Sequence, residues 1–194
     1  MPFMTVRHFT EADIPIRTEL LRENKYQTNL NDFAMSADDR ALADGMRRTI
    51  AEQHHSKRLF TMCGSKGQVV GFSWITSIDW RSQACELSFA VLPRYRSGFG
   101  FKAVEAAHEY LREQLHMDVI INQVLSHNTM MLSAAELEAN AQVRAEFDSY
   151  TVGQWRTACY WTVTRDEVRD RKQRELARRQ EIAERVRAGV QELS

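Results

Sequence analysis

The chain has 194 residues, enough for one domain with a sizeable core and too few for two ordinary ones. Its 26 basic and 26 acidic side chains cancel to a formal net charge of +0, which argues against a protein that holds DNA or RNA chiefly through phosphates. No apolar run is long enough for a signal peptide or a membrane span, and Cys63, Cys85 and Cys159 show neither a disulfide framework nor metal-ligand spacing. Cytoplasmic residence, with no metal and with no nucleic-acid or membrane partner, is the simplest expectation.

Thr5 to Phe9 alternates polar and apolar residues, as a first strand does. Thr10-Glu11-Ala12-Asp13 then reads as a helix start, Thr10 capping and Asp13 reaching back to it. Ile14, Arg17, Leu20 and Leu21 continue at helical spacing. A polar connection around Asn24 to Asn31 leads to Ser36-Ala37-Asp38-Asp39, which opens a second helix with Leu42, Met46 and Ile50 at every fourth residue. Two helices so near the first strand suggest a flap on the substrate side.

Arg58 to Cys63 reads as a strand and Gly64 to Gly67 as its turn. Gln68 to Ser77 is the paired strand, and Gln83 to Leu92 a third whose side chains alternate between faces. Two hairpin-like connections in succession predict an antiparallel meander. After Pro93 come Arg96-Ser97-Gly98-Phe99-Gly100 and a helix, with Phe101, Val104, Ala107, Leu111 and Leu115 as its apolar stripe and Arg112 off it. Asp118 to Leu125 is another strand, expected parallel to the one before the helix because a whole helix intervenes. Thr129 to Asn140 is helical by propensity and Trp155 to Val163 is a last strand. From Thr164 the chain is charged, with Glu167/Arg171, Asp170/Arg174, Glu175/Arg179 and Glu181/Arg185 at helical four-residue spacing. Leu176, Ala183, Val186, Val190 and Leu193 give this helix a thin apolar edge, which is either solvated or packs on a second copy as a homodimer contact.

Strand, glycine turn, helix is a physical recipe for holding a phosphate. Glycines let backbone approach the ligand, and a helix N-terminus presents unpaired N–H groups and partial positive charge. A tight turn into a helix also needs glycine, so the segment alone leaves both readings open. It is neither a Walker motif nor a dinucleotide fingerprint.

With these elements in place, the chain resembles the GNAT superfamily of acyl-CoA N-acyltransferases, closest to the branch of ribosomal-protein-alanine and small-molecule acetyltransferases. The likeness runs from about Thr5 to Glu167. It is carried by Cys85 to Pro93, by the glycine loop, by Ser126-His127-Asn128-Thr129, and by Gly153-Gln154-Trp155 with Tyr160 to Glu167. It implies an α/β fold of the α+β type: one domain, 1–166, with a mixed, mainly antiparallel sheet flanked by helices and splayed around the CoA-binding helix. A helical extension, 167–194, follows. It implies acetyl-CoA as co-substrate, its pyrophosphate on the backbone of Arg96, Ser97, Gly98, Phe99 and Gly100. Ala90, Val91 and Leu92 would face its pantetheine arm, and Asn128 would touch that arm. Tyr95 stands where the family has Gln or Arg, a contact Arg96 would replace.

Acyl transfer to an amine needs a base, because alkyl amines are largely protonated at neutral pH. Glu86, on the same strand face as Ser88 and Ala90, matches the family's glutamate; the alternative is a strand glutamate paired with a neighbouring cation. The family's tyrosine proton donor falls at Ala135, leaving Ser133, Tyr160 and Tyr150 as candidates. A backbone N–H near Ala90 or Val91 would meet the oxyanion. Trp74, Trp80 and Phe89 would line an acceptor pocket or belong to the core. The usual Gly-Phe pair is replaced by Leu137-Glu138-Ala139-Asn140-Ala141, where Asn140 would supply the left-handed cap. Two functions follow: an acetyltransferase for a primary amine of a small molecule or peptide N-terminus, or a catalytically weak acyl-CoA-binding scaffold.

Overall fold

The computed structural model describes residues 4–23, 36–52, 56–96, 99–126, 144–151 and 153–191. In chain order they form β1 (Met4–His8), α1 (Ile14–Leu21), α2 (Asp39–Glu52), β2 (Arg58–Gly64), β3 (Val69–Asp79), β4 (Ala84–Val91), α3 (Phe99–Glu113), β5 (Val119–Leu125), β6 (Arg144–Thr151), β7 (Gln154–Thr164) and α4 (Arg165–Gln191). The chain divides into two compact units, Met1–Thr162 and Val163–Ser194.

The first unit is built on a seven-stranded sheet in the order β1-β2-β3-β4-β5-β7-β6. β1 to β4 pair antiparallel with their neighbours, as the meander predicts, and β4 pairs with β5 in parallel. β2 is buried from Leu59 to Gly64, because helices cover both its faces. On one face Leu59, Phe72 and Ala90 pack with Ile14, Leu20 and Leu21 of α1 and Leu42 and Met46 of α2. On the other, Phe60, Ile75, Cys85 and Leu87 meet Leu111 of α3, while Met4, Met62 and Val70 meet its Ala103 and Ala107.

α3 corrects the expected stripe. Phe101 is 47% exposed, while Ala103, Ala107 and Leu111 are buried. Small residues at this spacing let the helix lie close to the sheet, and Phe101 falls on its outer side. Arg112 is buried as well, its guanidinium 3.4 Å from His108 Nδ1. A second correction is β6, which sequence alone did not indicate. It pairs antiparallel with β7 from Arg144↔Trp161 to Thr151↔Gln154, and Gly153 carries the turn at φ 71. The expected helix at Thr129 to Asn140 and the cap at Asn140 lie outside the described residues.

Asp13 joins three elements. Its carboxylate accepts both Arg7 guanidinium nitrogens at 2.7 Å, the Thr10 N–H at 2.9 Å and the Thr10 and Thr61 hydroxyls at 3.0 Å. Burial by itself would raise its pKa, but the hydrogen bonds from Arg7, Thr10 and Thr61 outweigh burial and lower it. A lowered folded-state pKa means stability that is present above the unfolded carboxylate value, about 3.9, and lost as pH falls through the folded value. Asp13→Ala is expected to cost about 2–4 kcal/mol at pH 7, since it removes a cap and strands the buried Thr61 hydroxyl. In urea titrations the gap between wild type and variant should close on acidification; a gap unchanged down to pH 2 would contradict this account.

The second unit is the 27-residue α4 with its lead-in. Thr164 caps it: Glu167 Oε2 accepts from the Thr164 N–H at 2.7 Å and its hydroxyl at 2.9 Å. Arg169 lies 3.1 Å from Asp166 and 3.9 Å from Asp170. Such exposed pairs contribute little individually. Leu176 and Ile182 are exposed.

Candidate active site

Glu86 sits in mid-β4, opposite Thr76 of β3 and Ile121 of β5. Residues directly opposite share a sheet face, and alternation adds Ser88 with its partner Trp74, and Gln123 two places beyond Ile121. This is the face covered by α1 and α2. Cys85 points the other way, into the α3 side; burial, with the charge of Glu86, pushes its thiol up to about 12. The Ser77 hydroxyl, on left-handed backbone at φ 50 where the β3 register shifts, makes a long 3.5 Å contact to Glu86 Oε2. No lysine or arginine forms a salt bridge with Glu86 among the described residues.

Tyr160 arrives from β7. The Gln123 amide donates to its hydroxyl at 2.5 Å, and its ring meets Phe147 edge-on at 5.7 Å. Burial and the nearby charge of Glu86 raise the Tyr160 pKa, against the Gln123 hydrogen bond. The hydroxyl is therefore protonated at neutral pH and has a proton to give. Tyr150 is exposed on the opposite face of the β6–β7 ribbon, against Trp155.

Beside this group the sheet opens. The β4–β5 ladder runs only from Ala84↔Val119 to Leu87↔Asn122, although β4 continues along β3 to Val91 and β5 to Leu125. The Leu92 N–H donates to Val70 C=O at 2.9 Å. In an antiparallel ladder that bond makes Gly71↔Val91 a non-hydrogen-bonded pair and turns the backbone groups of Ala90 towards β3. The backbone groups of Phe89 and Val91 thus face the opening. Of the three residues expected to line it, Ala90 and Leu92 commit their N–H groups to β3.

Arg96 does not reach outward for an anion. Its Nε donates to Val91 C=O at 3.1 Å and its terminal nitrogens clasp the Glu23 carboxylate, one at 2.7 Å. Tyr95, under the Arg94 guanidinium, packs into the cores on both faces. Gly100 is buried in the first turn of α3, and a β-carbon there would lie 3.4 Å from Tyr95 O and 3.7 Å from the Val91 methyls. These are ordinary contact distances, so the described neighbours tolerate a β-carbon there. Backbone amides at a helix N-terminus, beside a strand that has parted from β5, fit a pyrophosphate followed by an amide-bearing arm. Phe99 begins α3. Ser97, Gly98, Asn128 and Ser133 lie outside the described residues.

Trp80 is exposed beneath Arg58, and Phe89 packs on the α3 side, so of the three aromatics Trp74 alone lies on the Glu86 face. Gln123 escaped sequence analysis; its one signal is a pair of polar residues, Asn122 and Gln123, inside an apolar strand. Among the described residues no three His, Cys, Asp or Glu side chains gather as a metal site, and no helix is long and apolar enough to cross a membrane.

No curated protein matches the chain. Among solved structures, Vibrio cholerae spermidine N-acetyltransferase in complex with CoA and spermine is similar at TM-score 0.71 and 14% identity, over 85% of this chain and 97% of that one. The same organism's spermidine/spermine N-acetyltransferase with manganese ions is similar at TM-score 0.68 and 15% identity, over 87% and 96%. At such identities the likeness is one of fold. The family model for the acetyltransferase (GNAT) domain matches residues 4–137. The chain belongs to the GNAT acetyltransferases, the acyl-CoA-dependent N-acyltransferase family.

Proposed function

We propose that the protein transfers an acetyl group from acetyl-CoA to a primary amine by direct attack in a ternary complex. The observation that carries this is the parting of β4 from β5 after Leu87↔Asn122, with Glu86 on one side of it and Tyr160 hydrogen-bonded to Gln123 on the other. The Vibrio cholerae protein of the same fold, in complex with CoA and spermine, supports an amine as acceptor.

Acetyl-CoA supplies a thioester carbonyl, which takes the amine nitrogen and releases sulfur as thiolate. The chain's residues do the rest. Glu86 takes the amine proton, directly or through water. The N–H of Phe89 or Val91 offers a hydrogen bond to the carbonyl oxygen, from a backbone position that side-chain substitution does not remove. Tyr160 gives its proton to the departing sulfur. A thiol has a pKa of about 8.5, so this help is modest. Backbone amides of Ser97 and Gly98, with those at the start of α3, hold the pyrophosphate.

Acetyl-CoA should bind the isolated protein, and free thiol should appear when an amine panel of polyamines, amino acid amides and short peptides is added. Binding without turnover of any amine would leave only an acyl-CoA-binding role. Absence of binding would sink the proposal entirely.

A further inference from the structure

Phe147 stands in the middle of the edge strand β6, between Glu146 and Asp148, and is 61% exposed. Single exposed apolar residues are common, but this one has a particular place. It pairs with Ala158 of β7, and its ring meets that of Tyr160 edge-on at 5.7 Å. The Tyr160 hydroxyl accepts from Gln123, which shares a sheet face with Ile121 and, across the β4–β5 ladder, with Glu86. Phe147 is therefore on the Glu86 face, two strand spacings or about 10 Å beyond β5. Ala158 offers it only a methyl group. The helices leave it open too: the core made with α1 and α2 draws on β2, β3 and β4 and, among the described residues, on none of β5, β6 or β7.

Alternation sorts the charges of this ribbon between its faces. Glu146 and Asp148 fall with Tyr150 on the side away from Glu86. On the Phe147 side the pairs are Ala145↔Tyr160, Phe147↔Ala158, Ser149↔Arg156 and Thr151↔Gln154. The one charge among these residues is the cation of Arg156, which is half-buried. A polyamine brings a second ammonium several bonds from its reacting nitrogen. On this ribbon that ammonium meets the like charge of Arg156 and no carboxylate. An apolar group in the same place takes its own surface and that of Phe147 out of water together. An aromatic group adds an edge-to-face contact of the kind Tyr160 already makes with Phe147.

Building on the acetyltransferase reading above, we propose that the acceptor is a primary amine carrying a neutral aromatic or bulky apolar group several bonds from its nitrogen. Phe147 receives that group while the amine lies at Glu86. The same chemistry is offered by a peptide N-terminus with an apolar side chain in its first residues and by an elongated arylalkyl amine. A polyamine does not offer it. Phe147 acts as a specificity residue; it touches the acceptor's far end and takes no part in bond making.

The test uses two pairs of acceptors. One is a pair of C-terminally amidated tripeptides with free N-termini, identical except for phenylalanine or glutamine at the third residue; the other is 4-phenylbutylamine and spermidine. In at least one pair the aromatic member should show about ten-fold or higher kcat/KM than its counterpart, and that pair identifies the source of the acceptor. Phe147→Ala should bring the ratio close to one, through KM for the aromatic member, with acetyl-CoA affinity unchanged. Phe147→Leu should keep part of the preference. Tyr150→Ala removes an exposed aromatic from the other face of the same ribbon and should leave the preference intact. Turnover of glutamine peptide and spermidine as fast as their aromatic counterparts overturns the inference and leaves the acetyltransferase reading standing. A preference that survives in Phe147→Ala, or is lost in Tyr150→Ala, overturns it as well. Failure to bind acetyl-CoA would instead overturn the acetyltransferase reading beneath it.

Discussion

Replacing Glu86 with glutamine is expected to lower kcat/KM at pH 7 by about 100-fold or more, with acetyl-CoA affinity unchanged. Glutamine keeps the volume of the side chain and an oxygen for the Ser77 hydroxyl, which the native carboxylate meets at 3.5 Å. What it loses is the capacity to take a proton. The residual rate should climb with pH as the amine deprotonates unaided, so the gap between wild type and variant narrows towards the amine's own pKa. A second readout lies across the opening. The charge of Glu86 raises the Tyr160 pKa, so the variant's Tyr160 should ionise at lower pH in an ultraviolet titration. A variant with full activity at pH 7 would mean that the proton goes elsewhere.

Gly71→Ala should be the most damaging single-atom change to the sheet. A β-carbon at Gly71 would lie 2.4 Å from Ala90 O and 3.0 Å from both the Met62 methyl and the Val91 Cα. The first distance is impossible without moving the backbone, and Ala90 O is fixed by the β3–β4 ladder. Overpacking of this kind costs about 1–3 kcal/mol. The strand that must move carries Phe89 and Val91, so acetyl-CoA affinity should fall along with the urea midpoint. Gly100→Ala is the useful contrast, because its β-carbon meets the chain at ordinary distances of 3.4 and 3.7 Å. It should fold normally and reveal whether a ligand needs that space. Equal stability of Gly71→Ala and wild type would refute the packing argument.

Much of the fold was legible because it rests on local periodicity. Ile14, Arg17, Leu20 and Leu21 are all buried at helical spacing, and Leu42 and Met46 follow suit. The meander followed from alternation between two turns. α3 was legible as a helix, but hydrophobicity alone put Phe101 inside, whereas the sheet accepts Ala103 and Ala107 because they are small. β6 hid behind Glu146 and Asp148, exposed charges that suit an edge strand. At the site, alternation was enough to place Glu86 on one face with Ser88 and Ala90 and Cys85 on the other. Gln123 with Tyr160 and Arg96 with Glu23 were not legible, since they join residues 37 and 73 positions apart through pairing and packing. Arg96 looked available for an anion only because its carboxylate partner is so distant in the chain.

Cys63, Cys85 and Cys159 are all buried. A thiolate is the species that reacts with disulfides and electrophiles, and Cys85, pushed up to about 12, supplies almost none at neutral pH. A chromogenic disulfide added to the folded enzyme should therefore colour only with the thiol set free from the co-substrate, against a flat baseline. Heating or urea would then add three equivalents of colour per chain as the fold opens. The same reagent would thus record turnover in one regime and denaturation in the other, with no label attached to the protein.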